Sequence, residues 1–282
     1  MSLNGIVLIN KARGVSSNKV VNKVKYLLKA EKAGHLGTLD VLGEGLLPVT
    51  LGKGTKVFEY FLNKDKVYHT VFKFGETTAT LDLEGEIIQK NNVVVTLDNL
   101  KSVAKSFIGK QMQMPPAYSA KKVNGHKAYE LIRKGEEFSL KPKEVEIYSI
   151  EIINELETNV FELIVHCSSG TYIRSLCRDL ANSLSTYGVM LSIQRTKCGK
   201  FDIFNSNTLE DVENGIFTIV QLDTIFDNEK LILKKEDCLK LLNGQIINVN
   251  ASNGEYRVYD NQLFLGLGQV ENSKLKLSLR LI

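Results

Sequence analysis

Tryptophan is absent from the 282 residues, so any aromatic stacking on a ligand falls to the ten tyrosines and twelve phenylalanines. Cysteine is sparse: Cys167, Cys177, Cys198 and Cys238 lie far apart, with no CxxC pair and no Cys/His cluster. That spacing argues against a zinc site and a disulfide framework, and it leads us to expect a reducing, cytoplasmic setting. Long apolar runs are missing, so no membrane span is expected. The start, Met1-Ser2-Leu3-Asn4-Gly5, lacks the basic opening and apolar stretch of a signal peptide. There is no internal repeat, no low-complexity segment and no nucleotide- or metal-binding motif. Neither sign of charge dominates: 36 Lys and Arg stand against 32 Asp and Glu, a net charge of +4. Such a balance permits a polyanionic partner without requiring one. The length predicts one large domain plus a small one, and 43% hydrophobic residues suffice for a core.

What is present centres on Gly34-His35-Leu36-Gly37-Thr38-Leu39-Asp40, continued by Val41-Leu42-Gly43-Glu44-Gly45-Leu46-Leu47-Pro48. Four glycines within twelve residues predict a stretch with neither regular helix nor strand. Its leucines argue against a solvated linker. Asp40, the acid in its first half, reads alone either as a turn residue bonding its own backbone or as a reactive group.

On either side the chain alternates strands and helices. Residues 5–9 read as a buried strand, and Ser16 or Ser17 caps a helix with Val20, Val21, Val24, Leu27 and Leu28 on one face. Seven basic residues and one Glu between positions 11 and 32 form a solvated face or a stripe for an anionic backbone. Residues 67–74 predict a strand with Tyr68, Thr70, Phe72 and Phe74 on one side. Thr96 caps a helix that Gly109 stops. Residues 111–121 are expected to be irregular because of Pro115 and Pro116. From Lys121 to Lys143, seven basic side chains stand against three acidic ones, in a polar excursion that is a surface hairpin or a flap over a polyanion. Strands follow at 145–152 and 160–167. A helix opens after Ser168-Ser169-Gly170-Thr171 and is expected to run towards Gly188. Arg174 lies in its first turn, opposing the helix dipole, which implies an anionic partner. Residues 190–196 read as another strand. After residue 228 come a short helix ending at Gly244 and a set of compact strands.

Taken together, several segments resemble the TruB family, the bacterial tRNA pseudouridine-55 synthases. They are Lys11-Ala-Arg-Gly-Val-Ser-Ser17, Gly34 to Gly45, Lys66-Val-Tyr68, Gly75 through Asp82 to Gly85, Gln113 to Lys121, Ser169-Gly-Thr-Tyr-Ile-Arg174 and Arg195-Thr196. Their order and spacing both match over nearly the whole chain. The resemblance implies an α+β pseudouridine synthase fold: a mixed, largely antiparallel sheet flanked by helices and loops, with a small β-rich PUA-like C-terminal domain. It places the catalytic domain at 1–227, a basic thumb at about 118–143 and the small domain at 228–282.

The resemblance also assigns roles. Asp40 is the catalytic aspartate, and Arg174 pairs with it. Tyr68 stacks on the flipped uracil, Tyr172 and Ile193 line the pocket, and His35 braces the space vacated in the RNA loop. Lys11 and Lys121 join the substrate-binding set. The implied partner is the T-arm of tRNA, bound by a monomer with no cofactor, metal, membrane or guide RNA. The chain departs from the family pattern at Ala12 and Val41, each in place of Pro, at Leu36 in place of Thr, at Gly43-Glu44 in place of Ala-Thr and at Ile193 in place of Leu. None removes a reacting group; Glu44 adds an anion near the RNA.

Two other readings compete. A non-catalytic RNA-binding module on the same scaffold would be favoured by loss of the Asp or Arg, and both are present. A guide-RNA-dependent synthase would lack the basic thumb and carry a larger terminal region.

Overall fold

A computed structural model of the chain describes residues 3–119, 122, 123, 125–127, 131, 132, 136 and 138–282. The first half opens with β1 (Gly5–Lys11), β2 (Ala33–His35), β3 (Glu44–Leu51) and β4 (Lys66–Phe74). Then come a hairpin of β5 (Glu76–Thr78) and β6 (Ile87–Lys90), β7 (Gly109–Gln113), and a second short hairpin of β8 (Lys122–Val123) and β9 (His126–Lys127). β10 (Lys143–Glu157), β11 (Val160–Cys167), β12 (Gly188–Cys198), β13 (Phe201–Asp202) and β14 (Ile219–Val220) complete this half. A second sheet is built from β15 (Lys230–Leu233), β16 (Ile247–Asn248), β17 (Gly254–Asp260), β18 (Leu263–Glu271) and β19 (Lys274–Arg280).

The large sheet runs β14-β1-β3-β12-β4-β11-β10-β7, with β2 added on β3 and β13 on β12. Every pairing is antiparallel except β3 with β12, so the sheet is mixed and largely antiparallel, as expected. Its central strand β4 alternates: Lys66, Tyr68, Thr70, Phe72 and Phe74 are buried, and the residues between them are partly exposed. Helix Ser17–Leu27 buries Val20, Val21 and Val24, and Ser16 caps it by accepting from the Lys19 N–H. Helix Ile173–Ser183 buries Ile173, Leu176, Cys177, Leu180 and Ala181 in the same core.

Three local expectations change. The glycine-rich stretch is partly regular, because β2 ends at His35 and β3 begins at Glu44. Gly45 serves close strand approach: at its φ of +94° a Cβ would lie 2.4 Å from the Arg195 carbonyl oxygen. Residues 111–113 belong to β7, because both prolines fall after the strand ends. The Ile173–Ser183 helix stops short of Gly188, which opens β12; Ser185, at φ +55°, turns the chain out instead.

The second sheet has its own core of Cys238, Leu241, Ile247, Tyr256, Val258, Leu265, Val270 and Leu275. Its other side packs on the first half, where Leu267 and Leu281 join Ile6, Leu8, Phe61, Leu222 and Phe226 in one cluster. Lys53 Nζ and Lys56 Nζ bond the carbonyls of Ile282 and Arg280, at 3.1 and 3.0 Å.

Candidate active site

Asp40 sits on the loop between β2 and β3, and that loop is pinned from several sides. The Ser17 hydroxyl donates to the Leu39 carbonyl at 2.8 Å and accepts from the Leu39 N–H at 2.9 Å. Gly43 N–H closes a turn onto the Asp40 carbonyl. The Gly37 carbonyl accepts from Arg195 Nη2 at 3.0 Å, and Arg195 Nε donates to Leu46 O. Lys11, expected to meet substrate, is only 1% exposed and lies outside the cavity lining. Its ammonium donates to the carbonyls of Ala12, Val15 and Val41, which ties the first turn to the Asp40 loop. Burial pushes the Lys11 pKa down, and the nearby Asp40 and Glu44 charges oppose that shift.

From the opposite side comes Arg174. Its helix starts at Tyr172, whose backbone is clamped by Gln113: the Tyr172 N–H donates to Gln113 Oε1 at 2.8 Å, and Gln113 Nε2 donates to the Tyr172 carbonyl at 3.1 Å. Arg174 Nη2 donates to Asp40 Oδ2 at 2.7 Å. Its Nη1 donates to the Thr80 carbonyl at 2.9 Å and lies 3.3 Å from Asp82 Oδ2. Asp82 is buried, and its other oxygen accepts from the Thr80 hydroxyl and the Glu84 N–H. A guanidinium buried against a helix dipole therefore has two carboxylates, one on each side. The Asp40 side chain remains 55% exposed, so one oxygen is held while the other faces open space.

That space is a cavity of about 360 Å³. Asp40, Tyr68, Tyr172, Arg174 and Ile193 all line it, so five of the expected site residues meet in one place. Lys66, Arg195 and Ser119 add to its polar wall, with Thr38, Ser169 and Thr171. Tyr68 lies on the buried face of β4 at 8% exposure, and burial pushes its phenol up to about 12, against the opposing pull of Arg195. Burial likewise raises Tyr172. His35 does not line the cavity: it lies on β2 opposite Val49, and its Nδ1 is buried with no partner among the described residues. Burial first, and the Arg195 charge second, lower its pKa and favour the neutral ring. Lys121 falls outside the described residues.

Sequence reasoning missed Asp82, Gln113, Arg195 and Ser17. Asp82 carried only a partial signal: a first-turn arginine needs an anion, but the Gly75–Gly85 segment offers Glu76 and Glu84 as well as Asp82. The backbone clamps of Gln113 and Ser17 leave no comparable mark.

Comparison with known proteins shows the family. The N-terminal domain model of the TruB family of pseudouridylate synthases matches residues 25–173, and the C-terminal model described as Pseudouridine synthase II TruB matches 230–282. A protein of Francisella philomiragia named tRNA pseudouridine synthase B is 37% identical, over 98% of this chain and 94% of its own length. One of the same name from Caldanaerobacter subterraneus is 38% identical, over 98% of both. Among solved structures, an H/ACA RNP bound to a substrate RNA containing 2′-deoxyuridine aligns with TM-score 0.72 and 22% identity, over 99% of this chain and 85% of that one, which speaks for the fold. By sequence along its whole length, the chain belongs to the TruB family of pseudouridylate synthases.

Proposed function

We propose that this enzyme isomerises uridine to pseudouridine at position 55 in the T-arm of tRNA, by flipping the base into the cavity beside Asp40, without cofactor or guide RNA. The observation that carries the reading is the 2.7 Å pair of Arg174 with Asp40 at the wall of a cavity that Tyr68 lines.

The chemistry asks for this arrangement. The N1–C1′ bond breaks, the detached base turns, and C5 bonds to C1′; substrate and product have the same atoms and oxidation level. A carboxylate near C1′ can attack it, stabilise positive character there or take a proton, and each role requires an ionised Asp40. A guanidinium at hydrogen-bond distance holds the carboxylate and fixes its direction. Extruding the base costs a few kcal/mol. Stacking on Tyr68 returns about 1–3 kcal/mol. Ile193 closes on the other side of the base and Tyr172 on its rim. Lys11 acts as a positioning residue for the Asp40 loop, and His35 braces the RNA loop from outside the cavity. Residues 118–143, many of which lie outside the described residues, supply basic side chains to the T-arm; residues 1–227 carry catalysis, and residues 228–282 form a second RNA-binding unit in a monomer.

An isolated T-arm stem-loop, incubated with the enzyme and no other RNA, tests this. Pseudouridine at the position equivalent to 55, and none when that uridine is replaced by cytidine, is the expected result. No turnover until a second RNA is added would overturn the stand-alone reading.

A further inference from the structure

Lys66 is a cation in the cavity wall that the mechanism above leaves without a task. It is 6% exposed, and its Nζ donates to the Lys64 carbonyl at 2.6 Å. Among the described residues no carboxylate lies within ion-pair distance of it. Its register partners on either side are Cys167 on β11 and Cys198 on β12, both fully buried. An ammonium in such a wall is costly to keep unless something fills its remaining donors. Burial lowers its pKa, as expected for a cation in a dry setting.

Its position says what that something is. Lys66 and Tyr68 are two residues apart on the same face of β4, so their attachment points lie about 7 Å apart. A uracil stacked on the Tyr68 ring turns one edge towards Lys66. A phosphate fits less well: it would have to be carried, dehydrated, to the floor of the cavity. The rim already has a cation for that, because Lys143 is exposed and its Nζ lies 2.5 Å from where a Cβ on Gly170 would be.

We propose that Lys66 is a catalytic residue whose ammonium donates a hydrogen bond to a uracil carbonyl oxygen and stabilises the negative charge the base takes on as the N1–C1′ bond breaks. This rests on the reading of Asp40 and Tyr68 given above. The electron pair of the broken bond passes into the ring and spreads onto its carbonyl oxygens, leaving C1′ electron-poor beside the Asp40 carboxylate. Lys66 keeps its proton throughout. When C5 bonds to C1′ the ring's charge is consumed; the C5 proton leaves and N1 gains one, so atoms and charge balance without an added reactant. Asp40 answers the sugar's charge and Lys66 the base's.

The test measures single-turnover rates and Kd on a T-arm stem-loop for Lys66→Met and Lys66→Gln. Lys66→Gln keeps an N–H for the Lys64 carbonyl but carries no charge, so it remains informative if Lys66→Met fails to fold. Loss of a preorganised donor to developing charge predicts a fall of about 100-fold in rate in both, with Kd unchanged. Consumption of a 5-fluorouridine substrate should show a smaller deficit, because fluorine makes the departing base a better anion. A wild-type rate in Lys66→Gln, or an equal deficit on both bases, overturns the proposal; the equal deficit marks a structural lysine. Full turnover by Asp40→Asn would instead remove the underlying reading, whereas an inactive Asp40→Asn beside a fully active Lys66→Gln removes the role of Lys66 alone.

Discussion

The first sheet and the loops it carries bury Lys11, Lys66, Asp82, Arg174 and Arg195, whereas the core of the second sheet, around Val258, Val270 and Leu275, holds no buried charge among the described residues. Both cores are built from buried apolar side chains. Buried ion pairs are weak contributors to stability beside apolar side chains of similar volume. The difference lies in where charge is placed: in the first region the buried cations hold loops and a carboxylate in position, and the second core is held by apolar packing.

The contrast can be broken most forcefully at Asp82. Asp82→Asn leaves Arg174 with one carboxylate, and the guanidinium is then free to draw Asp40 out of line. We expect the single-turnover rate to fall by about 100-fold or more while RNA binding persists. A wild-type rate would show that the second carboxylate serves folding alone. The opposite experiment is Leu275→Ala, in a residue wholly buried in the second core. It should destabilise by about 2–4 kcal/mol in denaturant unfolding. The rate per folded molecule should stay at the wild-type value, and a slowed chemical step would mean that the two regions are coupled.

The smallest effect concerns His35. Its depressed folded pKa means that the unfolded chain takes up a proton first as pH falls, so stability should decline below about pH 6.5 and level off once the folded ring is also protonated. His35→Gln should flatten that decline in urea midpoints compared between about pH 7 and pH 5. An unchanged slope would show that His35 protonates as freely in the fold as outside it.

Much of this was legible in the sequence, and the limits follow from what sequence carries. Alternation from Tyr68 to Phe74 fixed the central strand, because the period of two is set by the backbone. The pairing of Asp40 with Arg174 was implied by the family resemblance; the residues alone said only that a first-turn arginine needs an anion. Lys11 was expected in the substrate-binding set, and the structure buries it, because sequence shows charge and not burial: an ammonium that meets three carbonyls looks, in one dimension, like one that meets RNA. Asp82 stayed hidden because an acid among threonines and glycines reads as a turn. The strand at Glu44–Leu51 was obscured by Gly45, which is there to let the Arg195 backbone come close.

The central claim is that the Asp40 carboxylate, held by Arg174, acts at the ribose carbon of a flipped uridine. Replacing that carboxylate by an amide of the same shape is the most direct measurement: pseudouridine formation by Asp40→Asn on a T-arm stem-loop, with Kd taken on the same RNA. The account predicts no detectable product and binding close to wild type. Turnover at the wild-type rate would contradict it.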